Sequence, residues 1–220
     1  MTIKRKILLC AGLLLASGCS PLAPLPDHSD FFILTPIASP ADMTPIATST
    51  TAASNVSIGV GPVDFPDYLR RLEIVTLTAP NQLDISNHRR WGEPLDKNFV
   101  RALTENLSQL LGTRKIEKYP WPRKTQIDYQ VTIDVVKFET TKQGQSQLSA
   151  RWIIKDGATG KDLYASETNT TGQVPPGDIG TSVALSTALA KLSGDIASHI
   201  ADLSQHRTSI SGKSATEQPY

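Results

Sequence analysis

Two segments with the apolar spacing of a helix divide the chain, and they constrain the fold more than any other feature of the sequence. The first follows Pro94, which suits a first helical turn, and stops at Gly112; its apolar stripe comprises Leu95, Phe99, Leu103, Leu107, Leu110 and Leu111. The second follows Asp178, a good N-cap residue, and its stripe comprises Ile179, Val183, Leu185, Leu189, Leu192, Ile196, Ile200 and Leu203. Charged residues within this second segment exclude a membrane span: Lys191, Asp195 and Asp202.

The other periodic segments alternate apolar and polar residues, which is the spacing of half-buried strands. Three precede the first helix: 56–63, 73–79 and 82–86. A short apolar run at 31–38 contains Pro36 and suits an edge or a strand end. Three more segments lie between the helices, the last two joined by a hairpin turn at 156–160: 128–138, 146–156 and 161–171. The order βββαβββα predicts an α+β fold, with a largely antiparallel or mixed sheet covered by two amphipathic helices.

The periodic segments occupy residues 31–204, which is the length of one domain with enough apolar side chains for a core. Within it, residues 39–55 are rich in Thr, Ala and Ser, so we expect a surface loop there. Residues 205–220 are polar, Ser-rich and without periodicity, and we expect them to form a mobile tail.

The first eighteen residues have the organisation of a secretory signal. Three basic residues precede an apolar run at 7–16 that is too short to span a bilayer. The small residues at 16–18 then lead to Cys19, and this run resembles the lipobox at which bacterial lipoproteins are cleaved. The resemblance implies that residues 1–18 are removed and that Cys19 receives acyl chains, which hold the protein on a membrane. The alternative is an ordinary secretory signal in which Cys19 is incidental.

The stretch that follows the cysteine, residues 19–30, is spaced by three prolines and offers little to a core. We predict a semi-extended tether between the lipid anchor and the domain. Ser20 follows Cys19 in place of Asp, and by similarity to enteric lipoproteins this favours sorting to the outer membrane.

Composition argues against several classes of function for the mature chain. The second cysteine, Cys10, lies in the leader, so no thiol remains for a disulfide, a metal ion or nucleophilic catalysis. Without residues 1–18 the chain has 19 basic and 21 acidic residues and no basic run, which argues against nucleic-acid binding. No Gly-x-Ser-x-Gly motif occurs, and the histidines are too scattered for a metal site: His28, His88, His199 and His206. We predict no cofactor, no metal ion and no catalytic residue.

Four carboxylates flank two loops and are the candidates for general acid–base chemistry: Asp64, Asp67, Glu93 and Asp96. The structural alternative is that Asp67 caps a turn, while Glu93 and Asp96 interact favourably with the dipole of the first helix. We favour the structural alternative.

The same two loops, at 65–71 and 89–94, combine arginines with aromatic side chains, the residue types enriched in interface hot spots. We predict that they form a contact surface, either between copies of the chain or with a partner protein. The predicted contact residues are Phe65, Tyr68, Leu69, Arg70, Arg71, Arg90, Trp91 and Glu93. The alternative is an ordinary loop cluster, in which arginines stack on aromatic rings and Trp91 belongs to the core.

Two motifs in this region resemble a known family. They read "IGVGPVDFPDYLRRLEIVT" at 58–76 and "NHRRWGEPLDKNFVRALTENL" at 87–107. Together with "FFILTP" and the lipobox, they are similar to the PqiC/YmbA family of ABC-type transport auxiliary lipoproteins. The resemblance covers nearly all of residues 13–204.

This resemblance implies a non-enzymatic outer-membrane lipoprotein that faces the periplasm. The implied partners are a PqiA-type inner-membrane protein and a PqiB-type MCE protein, which forms a tunnel across the periplasm. Such a system moves lipids or other hydrophobic molecules between membranes and supports envelope integrity. Because the tunnel is symmetric, a homo-oligomeric ring of copies is the expected adaptor. The competing hypothesis is a self-standing lipid carrier or a lipid-anchored enzyme, which needs an apolar pocket or converging titratable groups.

Overall fold

The structure, a computed structural model, describes residues 28–38 and 55–214, with side chains as far as Arg207. The predicted signal peptide, residues 19–27 of the predicted tether with Cys19, and residues 39–54 of the predicted surface loop lie outside the described residues. Eight strands form one mixed sheet: β1 Asp30–Phe32, β2 Ile58–Asp64, β3 Glu73–Ala79, β4 Gln82–Trp91, β5 Ile116–Lys118, β6 Tyr129–Thr141, β7 Gln145–Asp156 and β8 Asp162–Gln173. The helices are α1 Leu95–Leu111 and α2 Gly180–Ser214, and a short 3₁₀ turn occupies Asp67–Leu69.

The long strand β6 organises the sheet. On one side it pairs antiparallel with β7 over nearly its whole length, and β8 pairs antiparallel outside β7. On the other side β2 runs parallel to the first half of β6, and β3 runs parallel to its end. Strand β5 extends the sheet beyond β2, while β4 and then β1 extend it beyond β3. The predicted α+β class with a mixed sheet is confirmed.

Alternation along β6 decides which face of the sheet the helices cover. In its first half the buried residues are Tyr129, Val131, Ile133 and Val135, and polar residues alternate with them on the opposite face. Helix α2 packs against β6, β7 and β8 and also against α1. The two helices are joined by a buried hydrogen bond of 3.0 Å from Asn106 Nδ2 to Ser193 Oγ. Burying one face of each helix and one face of the sheet forms the core.

A bulge in β6 lets the strand keep its apolar side chains inside beyond Val135. The pairing with β7 skips one residue between Val135 and Lys137, so Val136 is the extra residue. As a result Phe138 enters the core, where its ring lies 5.2 Å from that of Phe99 at a right angle. The last residues of β6 therefore contribute an aromatic side chain to the core that a strict period of two would place on the solvent face.

Both ends of α2 differ from the sequence prediction. The helix begins at Gly180 rather than directly after Asp178, which is exposed. It continues to Ser214, through residues predicted to begin a tail at 205. Arg207 explains part of the extension, because its guanidinium lies 5.0 Å from the centre of the Tyr129 ring and pairs with Asp156. These contacts stabilise the helix beyond the last apolar residue of its stripe.

The end of α1 agrees with the prediction. Gly112 adopts a left-handed conformation with a φ of 65°, which a glycine tolerates without steric cost. Pro94 precedes the first helical residue and accepts hydrogen bonds from the amides of Lys97 and Asn98. Across the part of the chain that the structure describes, neither helix combines the length and the hydrophobicity needed to cross a membrane.

Candidate functional site

The two segments predicted to form a contact surface meet in the structure. The amide of Trp91 donates a hydrogen bond of 2.6 Å to the carbonyl of Leu72, and Arg90 lies opposite Glu73 across the β3–β4 pair. Residues 89–91, predicted as a loop, are the end of β4. Segment 65–72 runs beside β6 in the gap between β2 and β3, which both pair with that strand. The segment therefore fills a break in the sheet.

Three of the predicted contact residues belong to the core. Phe65, Leu69 and Trp91 are 4%, 2% and 2% exposed. The ring of Phe65 meets the rings of Phe99 and Phe138 edge-to-face, at 5.0 and 6.5 Å between centres. For these three residues the structure corrects the prediction of a surface role, because the gap beside β6 must be filled with apolar atoms to keep water out of the core.

Tyr68 is hydrogen-bonded to a buried residue that the sequence did not indicate as its partner. Its hydroxyl donates a hydrogen bond of 2.6 Å to Glu139 Oε2, and Glu139 is 4% exposed. Burial, then the hydrogen bond and the negative charge of Glu139, raise the pKa of Tyr68 well above its usual value. The amide of Phe138 donates to the same carboxylate oxygen. Glu139 follows Phe138, which the bulge turns into the core, so alternation counted from Phe138 places Glu139 on the opposite face, and no pattern in the sequence predicted its burial there.

The four carboxylates considered for acid–base chemistry have structural contacts instead. Asp64 pairs with Arg70, whose guanidinium also lies 3.6 Å from Asp67 and donates to the carbonyl of Phe65. Glu93 binds Arg101 at 2.9 Å. At the start of α1, Asp96 accepts a hydrogen bond from the amide of Lys97.

These contacts are structural, as the alternative predicted in outline, but Asp67 forms no side-chain cap at its turn and pairs with Arg70, and Glu93 acts through its ion pair with Arg101. Within residues 28–38 and 55–214, no group of three or more His, Cys, Asp or Glu side chains is arranged to hold a metal ion.

The exposed apolar side chains at this junction lie on the edge strand β1 and just after it. Phe31 and Ile33 are 64% and 50% exposed, whereas Phe32 and Leu34, which alternate with them, are buried. Phe31 lies beside Arg90 in the parallel pairing with β4, and Ile33 lies against Gly92, where an added Cβ would come within 3.3 Å of it. We call Phe31, Ile33 and the half-buried Arg90 the edge patch. Arg71, also half-buried, lies next to Leu72 at this junction.

Three hollows on the described surface are small, with volumes of about 210, 290 and 350 Å³. The 210 Å³ hollow lies between the start of α2 and the end of β8, and the 350 Å³ hollow lies on the open face of the sheet beside Asp134 and Arg151. These volumes lie at or below the lower end of the range for drug-sized ligands.

Comparison with known proteins places this fold in a family. Residues 40–197 match the model of the "ABC-type transport auxiliary lipoprotein component" family. A search of curated protein sequences gives no significant match.

Solved structures share the fold. The crystal structure of an uncharacterized protein is 21% identical, with 79% of this chain and 99% of that chain covered and a TM-score of 0.62. The structure of protein XCC0632 from Xanthomonas campestris is 12% identical, with 82% and 99% covered and a TM-score of 0.63. At these identities the two structures show the fold alone. The family match, which spans well over half of the chain, shows that the protein belongs to the ABC-type transport auxiliary lipoproteins.

Proposed function

We propose that this protein is the PqiC-type component of a PqiABC-type intermembrane lipid transport system. In this proposal it is anchored in the outer membrane through Cys19, faces the periplasm and docks an MCE tunnel protein there. The family match supports a lipoprotein role in a transport system, and this family is one of transport components, not of enzymes. The motifs at 58–76 and 87–107 support the finer assignment by resemblance.

The observation that carries the docking role is the edge patch. A strand at the edge of a sheet has unpaired backbone groups on its outer side, and proteins usually protect such edges with charge or a covering loop. Here Phe31 of the edge strand and Ile33, just after its end, are exposed to solvent. Exposed aromatic and aliphatic side chains next to an arginine have the composition of an interface core. A second copy in a ring or the MCE protein itself would cover them.

The competing carrier hypothesis has weaker support. A lipid carrier needs an apolar cavity, whereas the space between helices and sheet is filled by buried side chains such as Phe99, Leu103 and Trp152. An enzyme needs titratable groups that converge on a substrate, and the carboxylates near the junction are engaged in ion pairs.

The test replaces the patch and leaves the core alone. The variant Phe31→Ser/Ile33→Ser is expected to lose crosslinking to the MCE-type protein in intact envelopes, or to lose its assembly into a ring. The matched control is Ile179→Ser/Val183→Ser, because these residues are 63% and 41% exposed at the start of α2. Both variants are expected to melt cooperatively. Wild-type crosslinking and assembly by a folded patch variant would refute the docking role, and lipid extracted from the purified protein would favour the carrier.

A further inference from the structure

A second cationic and aromatic segment, at 114–124, lies away from the edge patch. It reads RKIEKYPWPRK, contains β5, and connects α1 to β6. It contains one acidic residue, Glu117, and five basic residues. All five basic side chains are exposed: Arg114, Lys115, Lys118, Arg123 and Lys124. Most of this positive charge lies beside two aromatic rings and two prolines. The mature chain as a whole is slightly acidic, so the segment is a local excess of positive charge.

This charge is not neutralised by the protein itself. In the described ranges, no acidic side chain forms an ion pair with Arg114, Lys118, Arg123 or Lys124. Lys115 donates to the carbonyl of Asn55. Arg70, Arg101 and Arg151, by contrast, each pair with a carboxylate. Cations that a fold leaves unpaired and exposed in one segment are available to an anionic partner.

Two glycines of β2 leave the space in which the two aromatic residues pack. An added Cβ at Gly59 would lie 2.7 Å from the Trp121 ring, and one at Gly61 would lie 2.6 Å from Tyr119 Cβ. The two rings meet edge-to-face with 5.5 Å between their centres, and the amide of Tyr119 donates to the carbonyl of Val60. The segment is therefore fixed on β2, and Tyr119 remains 55% exposed. Docking such a preformed surface loses little conformational entropy.

We propose that segment 114–124 contacts the headgroup layer of an anionic phospholipid bilayer and orients the domain on the membrane. Tyr and Trp are enriched at the membrane interface because each combines a largely apolar ring with one polar group, a hydroxyl in Tyr and an N–H in Trp. Lys and Arg beside them are attracted by the surface charge of anionic lipids. The combination fits a lipid surface better than it fits a groove on a protein, because a planar layer of headgroups accepts cations spread along a whole segment.

The position of the segment agrees with the predicted anchor. Both β1 and β5 lie on the same side of β6, and their pairing registers place them about six residues apart along that strand, which is about 20 Å. Residues 19–29 can span at most about 35 Å. Acyl chains on Cys19 and a membrane contact at 114–124 are therefore compatible. The proposal adds an orientation to the proposed anchoring and does not depend on which protein covers the edge patch.

Tryptophan fluorescence supplies a direct test in the lipidated full-length protein. The chain has three tryptophans, of which Trp91 and Trp152 are 2% and 1% exposed, so Trp121 is the one accessible to a quencher. The protein is added to vesicles of phosphatidylcholine alone or mixed with phosphatidylglycerol, with bromine atoms on the acyl chains close to the headgroups. We expect quenching of Trp121 that is several-fold stronger in the anionic vesicles and that falls at high salt.

A charge-matched pair of variants separates this contact from general attraction. The variant Lys118→Gln/Arg123→Gln/Lys124→Gln is expected to lose most of the quenching. The control Lys97→Gln/Lys137→Gln/Lys142→Gln removes the same charge from exposed lysines in α1 and at the far end of β6, and it is expected to behave as wild type.

Flotation of the same samples reports the acyl anchor separately from the loop. Three outcomes would overturn the proposal: equal loss of quenching in both variants, quenching independent of lipid charge, or no quenching in protein that floats with anionic vesicles. A protein that fails to float with neutral vesicles but is quenched in anionic ones would refute the anchor and support the contact.

Discussion

Segments 65–71 and 114–124 combine the same residue types and have opposite roles in the fold. Each contains proline, two aromatic rings and cations, with one proline and two arginines in the first and two prolines and five cations in the second. In the first, Phe65 is buried, Tyr68 binds Glu139 and Arg70 pairs with Asp64. In the second, Tyr119 and the cations face solvent. The difference arises because segment 65–71 lies in a gap of the sheet, whereas 114–124 lies at an edge strand with two glycines beneath its rings.

Hot-spot composition alone does not identify a contact surface. Arginine and aromatic residues are enriched in interfaces because they form many contacts, and the same capacity lets them join distant parts of one chain. The neighbouring strands decide which contacts are made. The four predictions below test this contrast between an internal and an external segment.

The largest expected effect is on stability in the internal segment. Phe65→Ala removes a ring from the trio with Phe99 and Phe138 and is expected to lower the free energy of unfolding by about 3–5 kcal/mol. Tyr119→Ala, in the external segment, is expected to cost about 1 kcal/mol, mainly through its contact with Trp121. Urea denaturation of both variants checks this. Similar losses in the two variants would contradict the contrast.

The next effect concerns the buried hydrogen bond. Tyr68→Phe removes the hydroxyl that Glu139 accepts from and leaves a buried carboxylate with one fewer donor, so we expect a loss of about 1–3 kcal/mol. Glu139→Gln keeps an acceptor for the hydroxyl and is expected to cost less. A double-mutant cycle with Tyr68→Phe/Glu139→Leu measures the coupling between the two side chains. Additive effects would mean that the bond contributes nothing to stability.

Alkaline pH tests the same pair through its protonation. The pKa of Tyr68 is raised in the folded protein. The stability that its protonated hydroxyl contributes is therefore fully present below the unfolded pKa of about 10 and is lost as the pH rises from there through the folded pKa. The wild-type protein is therefore expected to lose about 1 kcal/mol more than Tyr68→Phe between about pH 9 and 11. Tyr129 is shifted in the same direction by burial, but it is present in both proteins. Parallel pH profiles for the two proteins would contradict this prediction.

The smallest effects concern the exposed cations. Arg70→Ala breaks ion pairs with Asp64 and Asp67 that are largely open to water, and we expect a loss of about 0.2–1 kcal/mol. Arg123→Gln has no ion pair to break, so the expected change lies within about 0.5 kcal/mol. Thermal unfolding at low and high salt distinguishes the two variants, because only the stability loss of Arg70→Ala is expected to become smaller at high salt. A large loss in the Arg123 variant would mean that segment 114–124 supports the fold.

Periodicity was sufficient to predict both helices and six of the eight strands in their order, whereas the three-residue strand β5 carries no periodic signal. The two helical stripes and the alternating strands needed only local spacing, and Gly112 ended α1 where the sequence indicated. Helix ends that depend on distant partners were not predictable, since the last turns of α2 are stabilised by contacts of Arg207 with Tyr129 and Asp156. The junction of the two motifs was predicted as a region, because both carry the same residue types, but the orientation of its side chains was not.

From the sequence alone followed the α+β class, the approximate order of strands and helices and the expectation of a lipid anchor. These follow from local period and composition, which require no knowledge of what packs against what. The burial of Phe65, Trp91 and Glu139 and the exposure of Phe31 and Ile33 depend on tertiary packing. The reason is physical: burial depends on which strands become neighbours, and here β2 and β3 share one side of β6, which opens a gap for one segment and leaves β1 at an edge.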